Sequence, residues 1–267
     1  KLNTFIKMSE GKKEILLGDC LELMKDIPNG SIDMILCDLP YGTTACKWDT
    51  IIPFEPLWIE YERLIKPNGA IVLFGSEPFS SFQRMSNIKL YRYDWIWEKN
   101  KISNYQLAKK MPLKNHETIS VFYKKLPTYN PQKEWVGIKD KRTTFNPCNH
   151  TKMAHIASGI TYCKKDDGTR YPKTVLKFDV HDRMNLIHNT QKPVPLFEYL
   201  IKIYTNEGET VLDNCAGSGT TAIACLKTNR QFIVMEKEPK YYEVIKKRVA
   251  DFNKRPIHNV LSFETEQ

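Results

Sequence analysis

Short apolar runs recur along the chain, at residues 15–17, 32–37, 70–74, 95–97, 119–123, 211–212 and 232–235. Continuous runs of this length, bounded by turn residues, read as strands buried on both faces. Between several of them the spacing turns helical. Residues 54–65 carry apolar positions every three or four and stop at Lys66-Pro67-Asn68-Gly69, a turn signal. Residues 196–204 and 220–227 read the same way, and 239–252 sets Tyr242, Val244, Ile245 and Val249 on one side. Strands alternating with helices predict an α/β domain. The expected architecture is a doubly wound, mostly parallel sheet of seven strands with helices on both faces.

One region breaks the rhythm. Residues 127–184 are polar and without clear period, with Tyr129, Trp135, Phe145, Tyr162 and Tyr171 set among Lys, Arg, Asn and Thr. So long an irregular stretch inside a compact domain implies a functional insert. The expected organisation is therefore 1–126, an insert at 127–184, and 185–267 returning to the first domain. There is no internal repeat and no low-complexity tract.

Composition narrows the class. The chain has 267 residues, 41% of them hydrophobic and 27% charged, enough for one well-packed core. No apolar run approaches the ~18–20 residues of a membrane span, and residues 1–13 lack the apolar core of a secretory signal. A soluble, cytoplasmic protein is expected. Seven scattered cysteines fit free thiols better than a disulfide framework. Cys148, His150, His155 and Cys163 are irregularly spaced and lack a Cys-x-x-Cys pair, so no metal is expected. The net charge of +9, with clusters such as Lys246-Lys247-Arg248, suits a polyanionic partner. Solvated helix faces account for it equally, so charge does not carry the functional reading.

Residues 209–221 form a strand, a tight glycine turn and a helix start: Asp213-Asn214-Cys215-Ala216-Gly217-Ser218-Gly219-Thr220-Thr221. Gly217 and Gly219 allow a ligand close to the backbone. The next strand, 231–235, ends at Glu236, where a carboxylate accepts hydrogen bonds from ribose hydroxyls. The third glycine of a dinucleotide fingerprint is missing. Asp213, just before the turn, repels a pyrophosphate and attracts an ammonium. This points to S-adenosylmethionine rather than NAD.

The strand at 32–37 runs into Asp38-Leu39-Pro40-Tyr41-Gly42. Functional loops of open α/β sheets lie at the carboxyl ends of strands, which places Asp38 and Asp213 at one edge. An exocyclic amine on adenine or cytosine is a poor nucleophile, because its lone pair is delocalised into the ring. Two acceptors holding its N–H groups draw the nitrogen toward tetrahedral geometry. The Asp38 carboxylate and the Leu39 main-chain carbonyl can supply them. A fixed carboxylate also stabilises the positive charge that grows on the amine. Pro40 stiffens the loop, and Tyr41 offers a ring face for an extruded base. Alone, the tetrapeptide fits an ordinary turn equally well.

With these motifs in this order, the chain resembles the β-class amino-methyltransferases of DNA, the bacterial and phage enzymes that make N6-methyladenine or N4-methylcytosine. In that class the catalytic motif precedes the cofactor motif, and Thr190-Gln191-Lys192-Pro193, after His188, lies between them here. Gly18-Asp19-Cys20, Gly75-Ser76, Trp97-Glu98-Lys99 and His116-Glu117 match as well. The resemblance spans nearly the whole chain except the insert, which falls where the family puts its target-recognition region. It implies that Asp19 and Cys20 contact the cofactor's adenine. Asp213, Cys215, Ala216, Gly217, Ser218 and Gly219, with Thr220 opening the helix, would line its methionine and ribose. Glu236 would hold the ribose, Gln191 and Lys192 would lie near the methionine carboxylate, and Asp38 would face both cofactor and target. The common motif is Asp-Pro-Pro-Tyr, and Leu39 departs from it at a position where only the main-chain carbonyl matters. Asp38, rather than the serine more usual for cytosine, favours adenine.

The implied substrate is double-stranded DNA with the base flipped out, since the amine takes part in pairing. Lys47 and Trp48 after the catalytic loop, and Lys99 and Asn104 after a strand, are candidate DNA contacts. Lys139, Lys141 and Arg142 in the insert suit phosphates better than base edges. N4-cytosine methylation uses the same geometry and is the runner-up. A non-catalytic cofactor- or nucleic-acid-binding module is the reading from another class, and intact Asp38, Pro40 and Tyr41 oppose it. A homodimer and a cognate restriction endonuclease are further partners the resemblance brings into view. No motif decides either, and none encodes the target site.

Overall fold

The computed structural model describes residues 13–42, 50–137, 167–180 and 191–254. They fall into two compact units, residues 1–130 with 174–267, and residues 131–173. The candidate residues Lys47, Trp48, Lys139, Lys141, Arg142, Thr190 and His188 lie outside the described residues.

In the larger unit eight strands form one sheet: β1 (Lys13–Leu17), β2 (Ile32–Cys37), β3 (Ile65–Gly75), β4 (Tyr91–Glu98), β5 (His116–Phe122), β8 (Val175–Lys177), β9 (Thr210–Asp213) and β10 (Gln231–Glu236). Their order across the sheet is β1-β10-β9-β2-β3-β5-β4-β8. The first four junctions and the last are parallel, while β5 runs antiparallel to both β3 and β4. The expected seven strands become eight because β8, three residues long, adds an edge. It lies within 127–184, the range assigned to the insert, yet belongs to the sheet unit.

The alternation of each central strand between two cores is what makes the sheet doubly wound. Met34 and Leu36 of β2, Val72 and Phe74 of β3, and Val234 of β10 point to one side, against α4 (Val194–Tyr204), α5 (Thr220–Lys227) and Ile245 of α6 (Pro239–Asn253). Ile35, Cys37, Ile71, Leu73 and Met235 point to the other, against Leu57, Trp58, Tyr61 and Leu64 of α2 (Phe54–Leu64) and Phe79 of α3 (Phe79–Ser86). Every residue of β2 is buried, as a strand covered on both faces requires. Phe74 stacks on Phe197 of α4 at 5.1 Å between ring centres.

The turn signal at 66–69 survives as an irregularity at the start of β3. Ile32 pairs with Ile65 and Met34 with Ala70, so residues 66–69 bulge opposite Asp33. Asp33 ties the bulge down, accepting from Lys66 Nζ at 2.6 Å and from the Thr210 N–H of β9 at 2.9 Å. Gly69 is required there, since a Cβ would meet the Asp33 carbonyl oxygen at 2.7 Å. Helix α4 starts at Val194, two residues earlier than its apolar spacing predicts, because Pro195 is tolerated in a first turn.

Two short helices were not predicted. α1 (Cys20–Leu23) is one turn, capped by Asp19, whose carboxylate accepts the Leu21 N–H at 3.0 Å. α3 is polar, Phe-Ser-Ser-Phe-Gln-Arg-Met-Ser, and buries Ser80 and Gln83 beside Phe79. No helix among the described residues is long and apolar enough to cross a membrane.

The smaller unit, narrower than 127–184, holds an antiparallel ribbon of β6 (Glu134–Trp135) and β7 (Thr169–Arg170) among its described residues. Trp135 is exposed, and Lys133 lies 4.8 Å over the Tyr171 ring.

One long-range bond ties α2 to the glycine turn. The buried Tyr61 hydroxyl donates to Asn214 Oδ1 at 2.6 Å. Tyr61→Phe removes the donor and leaves a buried oxygen unpaired. We expect a loss of about 1–3 kcal/mol in urea unfolding. An unchanged midpoint contradicts this role.

Candidate active site

The carboxyl ends of β2, β9 and β10, with the start of α1, surround a cavity of about 730 Å³. Its wall includes Asp19, Cys20, Asp38, Leu39, Pro40, Tyr41, Lys99, Gln191, Lys192, Asp213, Cys215, Ala216, Gly217, Ser218, Thr220 and Glu236. Residues chosen from motifs as far apart as Asp19 and Glu236 thus meet at one edge, where a parallel sheet brings its functional loops.

The glycine turn closes one side. Gly217 has φ +53° and nothing within 4 Å of a would-be Cβ, which leaves open space over the backbone. Its N–H donates to Glu236 Oε2 at 2.7 Å, and the Glu238 N–H donates to Oε1 at 2.8 Å. Glu236 is thereby fixed at the end of β10, with lone pairs left over on both oxygens. Burial pushes its carboxyl above the usual range. Gly219 does not line the cavity. It opens α5 in a left-handed conformation, and a Cβ there would meet Ile245 of α6 at 2.9 Å. Packing against α6 by itself calls for a glycine here, beside the expected ligand contact.

Asp213 is buried beneath the turn. It accepts the Cys215 N–H at 3.0 Å and the Thr221 hydroxyl. Burial pushes its carboxyl up to about 6 despite those donors. It borders the cavity, and both its oxygens brace the turn. Two carboxylates flank this turn, an acceptor set that fits hydroxyls and an ammonium and opposes a phosphate. Ile51, Ile52 and Pro53 add apolar wall nearby. The residues therefore fit an adenosine linked to a zwitterionic amino acid.

Asp19 lines the cavity but spends its carboxylate on capping α1 and on Lys237 at 3.3 Å. Cys20 is buried, and the Cys215 thiol beside it draws it down to about 7. Arg248 donates to the Ser218 carbonyl, which pins that part of the turn to α6.

The catalytic loop forms the other side. Tyr41 donates its hydroxyl to Asp38 Oδ1 at 2.6 Å and stacks on Phe79 at 5.1 Å. The Leu39 side chain is buried in the core beneath, which leaves only its main chain for chemistry. Lys192 departs from expectation. Its ammonium donates to Asp38 Oδ2 at 2.5 Å and lies 3.3 Å from Glu117, rather than being reserved for a ligand carboxylate. Burial opposes its charge, but Asp38 and Glu117 outweigh that and hold it above the usual lysine range.

The predicted DNA contacts are also rearranged. Lys99 is largely buried and donates to Glu117 at 2.9 Å, so it belongs to the cavity wall. The Asn104 side chain staples its own loop, donating to the Pro112 carbonyl at 3.0 Å and accepting the Lys114 N–H at 2.6 Å. Sequence reasoning missed Glu117 and Trp97 as site residues, noting them only as motif matches. The available signal was register, since the two are partners across β4 and β5.

Comparison with known proteins agrees with this geometry. A family model described as DNA methylase, covering N6 and N4 enzymes, matches residues 32–247. The chain is 28% identical to the Type II methyltransferase M.HpaI of Haemophilus parainfluenzae, over 90% of this chain and 76% of that one. It is 26% identical to the DNA adenine methyltransferase YhdJ of Escherichia coli, over 87% and 81%. Among solved structures, M1.HpyAVI in complex with SAM superposes with a TM-score of 0.57 at 24% identity, over 88% of this chain and 98% of that one, a likeness of fold.

Proposed function

The chain belongs to the N6/N4 DNA methylase family, and on that premise we propose that it methylates the exocyclic N6 amine of a flipped adenine in double-stranded DNA, at a specific site, with S-adenosylmethionine as donor. The observation that carries the reading is the cavity that joins Asp38 to the Gly217 turn and Glu236. Asp38 rather than serine at the head of the loop, and a curated relative named as an adenine enzyme, favour adenine. N4-cytosine methylation is the alternative.

When bound, S-adenosylmethionine supplies an electrophilic methyl group on a sulfonium. Glu236 would hold its ribose hydroxyls, Gly217 would let its chain pass close to the backbone, and Asp213 would attract its ammonium. The protein's own work lies at the amine. Asp38 accepts one N–H, and the Leu39 carbonyl accepts the other. Tyr41 keeps Asp38 oriented through its hydroxyl and would offer its ring to the base. As positive charge grows on the nitrogen, the Asp38 carboxylate stabilises it.

The Asp213 carboxyl, at about 6, gives a pH dependence. A ligand ammonium favours the ionised form, which is lost as pH falls. We expect cofactor affinity in calorimetry to weaken as pH drops through about 6 and to level off above it. A flat profile from pH 5 to 8 contradicts Asp213 as the ammonium partner.

A cytoplasmic DNA substrate fits the net charge of +9. We expect DNA affinity to fall steeply with salt as counterions are released; salt-independent binding contradicts a DNA substrate. Labelled-methyl transfer to duplex DNA, set beside RNA and protein substrates, tests the substrate class. A homodimer and a cognate restriction endonuclease are the partners that accompany the reading, and sedimentation reads the first.

A further inference from the structure

Four charged side chains form an unbroken chain in the cavity wall. Lys192 bridges Asp38 Oδ2 at 2.5 Å and Glu117 Oε2 at 3.3 Å, and Lys99 holds Glu117 Oε1 at 2.9 Å. All are mostly buried, with Lys192, Lys99 and Glu117 side chains 9%, 12% and 14% exposed. Two anions and two cations balance. The contact from Lys192 to Glu117 is ionic but lacks hydrogen-bond geometry, and Glu117 Oε2 has no hydrogen-bond partner among the described residues.

This arrangement obstructs the chemistry just described. Both Asp38 oxygens already accept, Oδ1 from Tyr41 and Oδ2 from Lys192. The ammonium shares the oxygen to which the target amine would donate, which keeps a free lone pair but has its charge neutralised. It would also sit a few ångströms from the positive charge that grows on that amine, where repulsion is strong in a buried site. Lys192 cannot retreat into the apolar wall without a counter-ion. Glu117 Oε2 is the acceptor within reach at 3.3 Å, and a turn of the ammonium toward it completes a hydrogen bond that now fails on angle rather than distance. Lys99, lying 5.6 Å over the Trp97 ring, anchors the other Glu117 oxygen, so the carboxylate stays put as Lys192 swings.

We propose that Glu117 is a positioning residue that draws Lys192 off Asp38 when the target amine docks, so that the Asp38 carboxylate meets the amine unmasked. The inference rests on the amino-methylation reading above. In this role Glu117 need touch neither target nor methyl group. Its effect reaches the reaction through where Lys192 stands.

The test is steady-state methylation of duplex DNA by the full chain, with cofactor dissociation constants and thermal melting measured alongside. Glu117→Gln should lower kcat about a hundredfold, while KM for DNA and cofactor affinity stay within about threefold. In a Lys192→Met background the same change should alter kcat by less than about threefold, because no ammonium remains to be drawn away. An equal loss in both backgrounds, or no loss in the parent, overturns the proposal. Glu117→Asp keeps the charge and shortens the reach, and it carries the test wherever either of those chains fails to fold. It should lower kcat about tenfold with cofactor binding unchanged, and kcat within about twofold of the parent overturns the proposal. A parent chain that transfers no methyl to DNA would instead sink the underlying function, so the two failures are distinguishable.

Discussion

Asp38→Ala should all but abolish methyl transfer, lowering kcat by about three orders of magnitude or more, while cofactor affinity stays within about tenfold of the parent. The asymmetry follows from where Asp38 stands. Its oxygens engage Tyr41 and Lys192 on the catalytic side, and it shares no hydrogen bond with the glycine turn. Removing it takes away an acceptor for the amine and the nearest negative charge to the nitrogen. The fold should survive, because Lys192 keeps Glu117 at 3.3 Å as a counter-ion. Asp38→Asn separates shape from charge. It keeps one acceptor oxygen and should retain more activity than alanine while falling far below the parent. Single-turnover transfer with calorimetric cofactor binding reads both quantities. Full activity in Asp38→Ala contradicts the mechanism.

Glu236→Ala should produce the opposite split, weakening cofactor affinity about a hundredfold while leaving the catalytic loop intact. Two effects act together. Acceptors for ribose hydroxyls disappear, and the N–H groups of Gly217 and Glu238 lose the carboxylate that holds them at 2.7 and 2.8 Å. The turn that bears Gly217 then loosens as well. Glu236→Gln keeps an acceptor oxygen but puts a donor amide against at least one of those N–H groups, so it should fall between the parent and alanine. Saturating cofactor should restore much of kcat in Glu236→Ala, which it cannot do in Asp38→Ala. Unchanged affinity in Glu236→Ala contradicts the ribose assignment.

Much of this was legible in the sequence, for physical reasons that also mark where legibility stops. Helices α2, α4, α5 and α6 show their apolar faces at helical spacing. The central strands show themselves as continuous apolar runs because both their faces are covered. A continuous run carries no direction, however, so the reversal of β5 left no trace. Helix α3 buries Ser80 and Gln83 on the side that periodicity searches for apolar residues. Strand β8 is too short to stand out from the irregular stretch that contains it.

The site divides in the same way. Asp38, Gly217 and Glu236 are recognisable because each stands at a strand end beside its own turn. Lys192 reaches Asp38 across 154 positions, and Tyr61 reaches Asn214 across 153. No local pattern encodes such meetings. Lys99 reads as a contact to DNA or the flipped base because it follows a strand at the same sheet edge, and only the pairing of β4 with β5 brings it to Glu117. Gly219 reads as a ligand glycine by position, whereas the closeness of Ile245 explains it by packing.

The most direct measurement is nucleoside mass spectrometry of duplex DNA of mixed sequence after incubation with the protein and labelled S-adenosylmethionine, with the Asp38→Ala chain run in parallel. The account predicts labelled N6-methyldeoxyadenosine from the parent and none above background from Asp38→Ala. Label found solely in N4-methyldeoxycytidine would contradict the adenine assignment, and label in no nucleoside would contradict the enzyme itself.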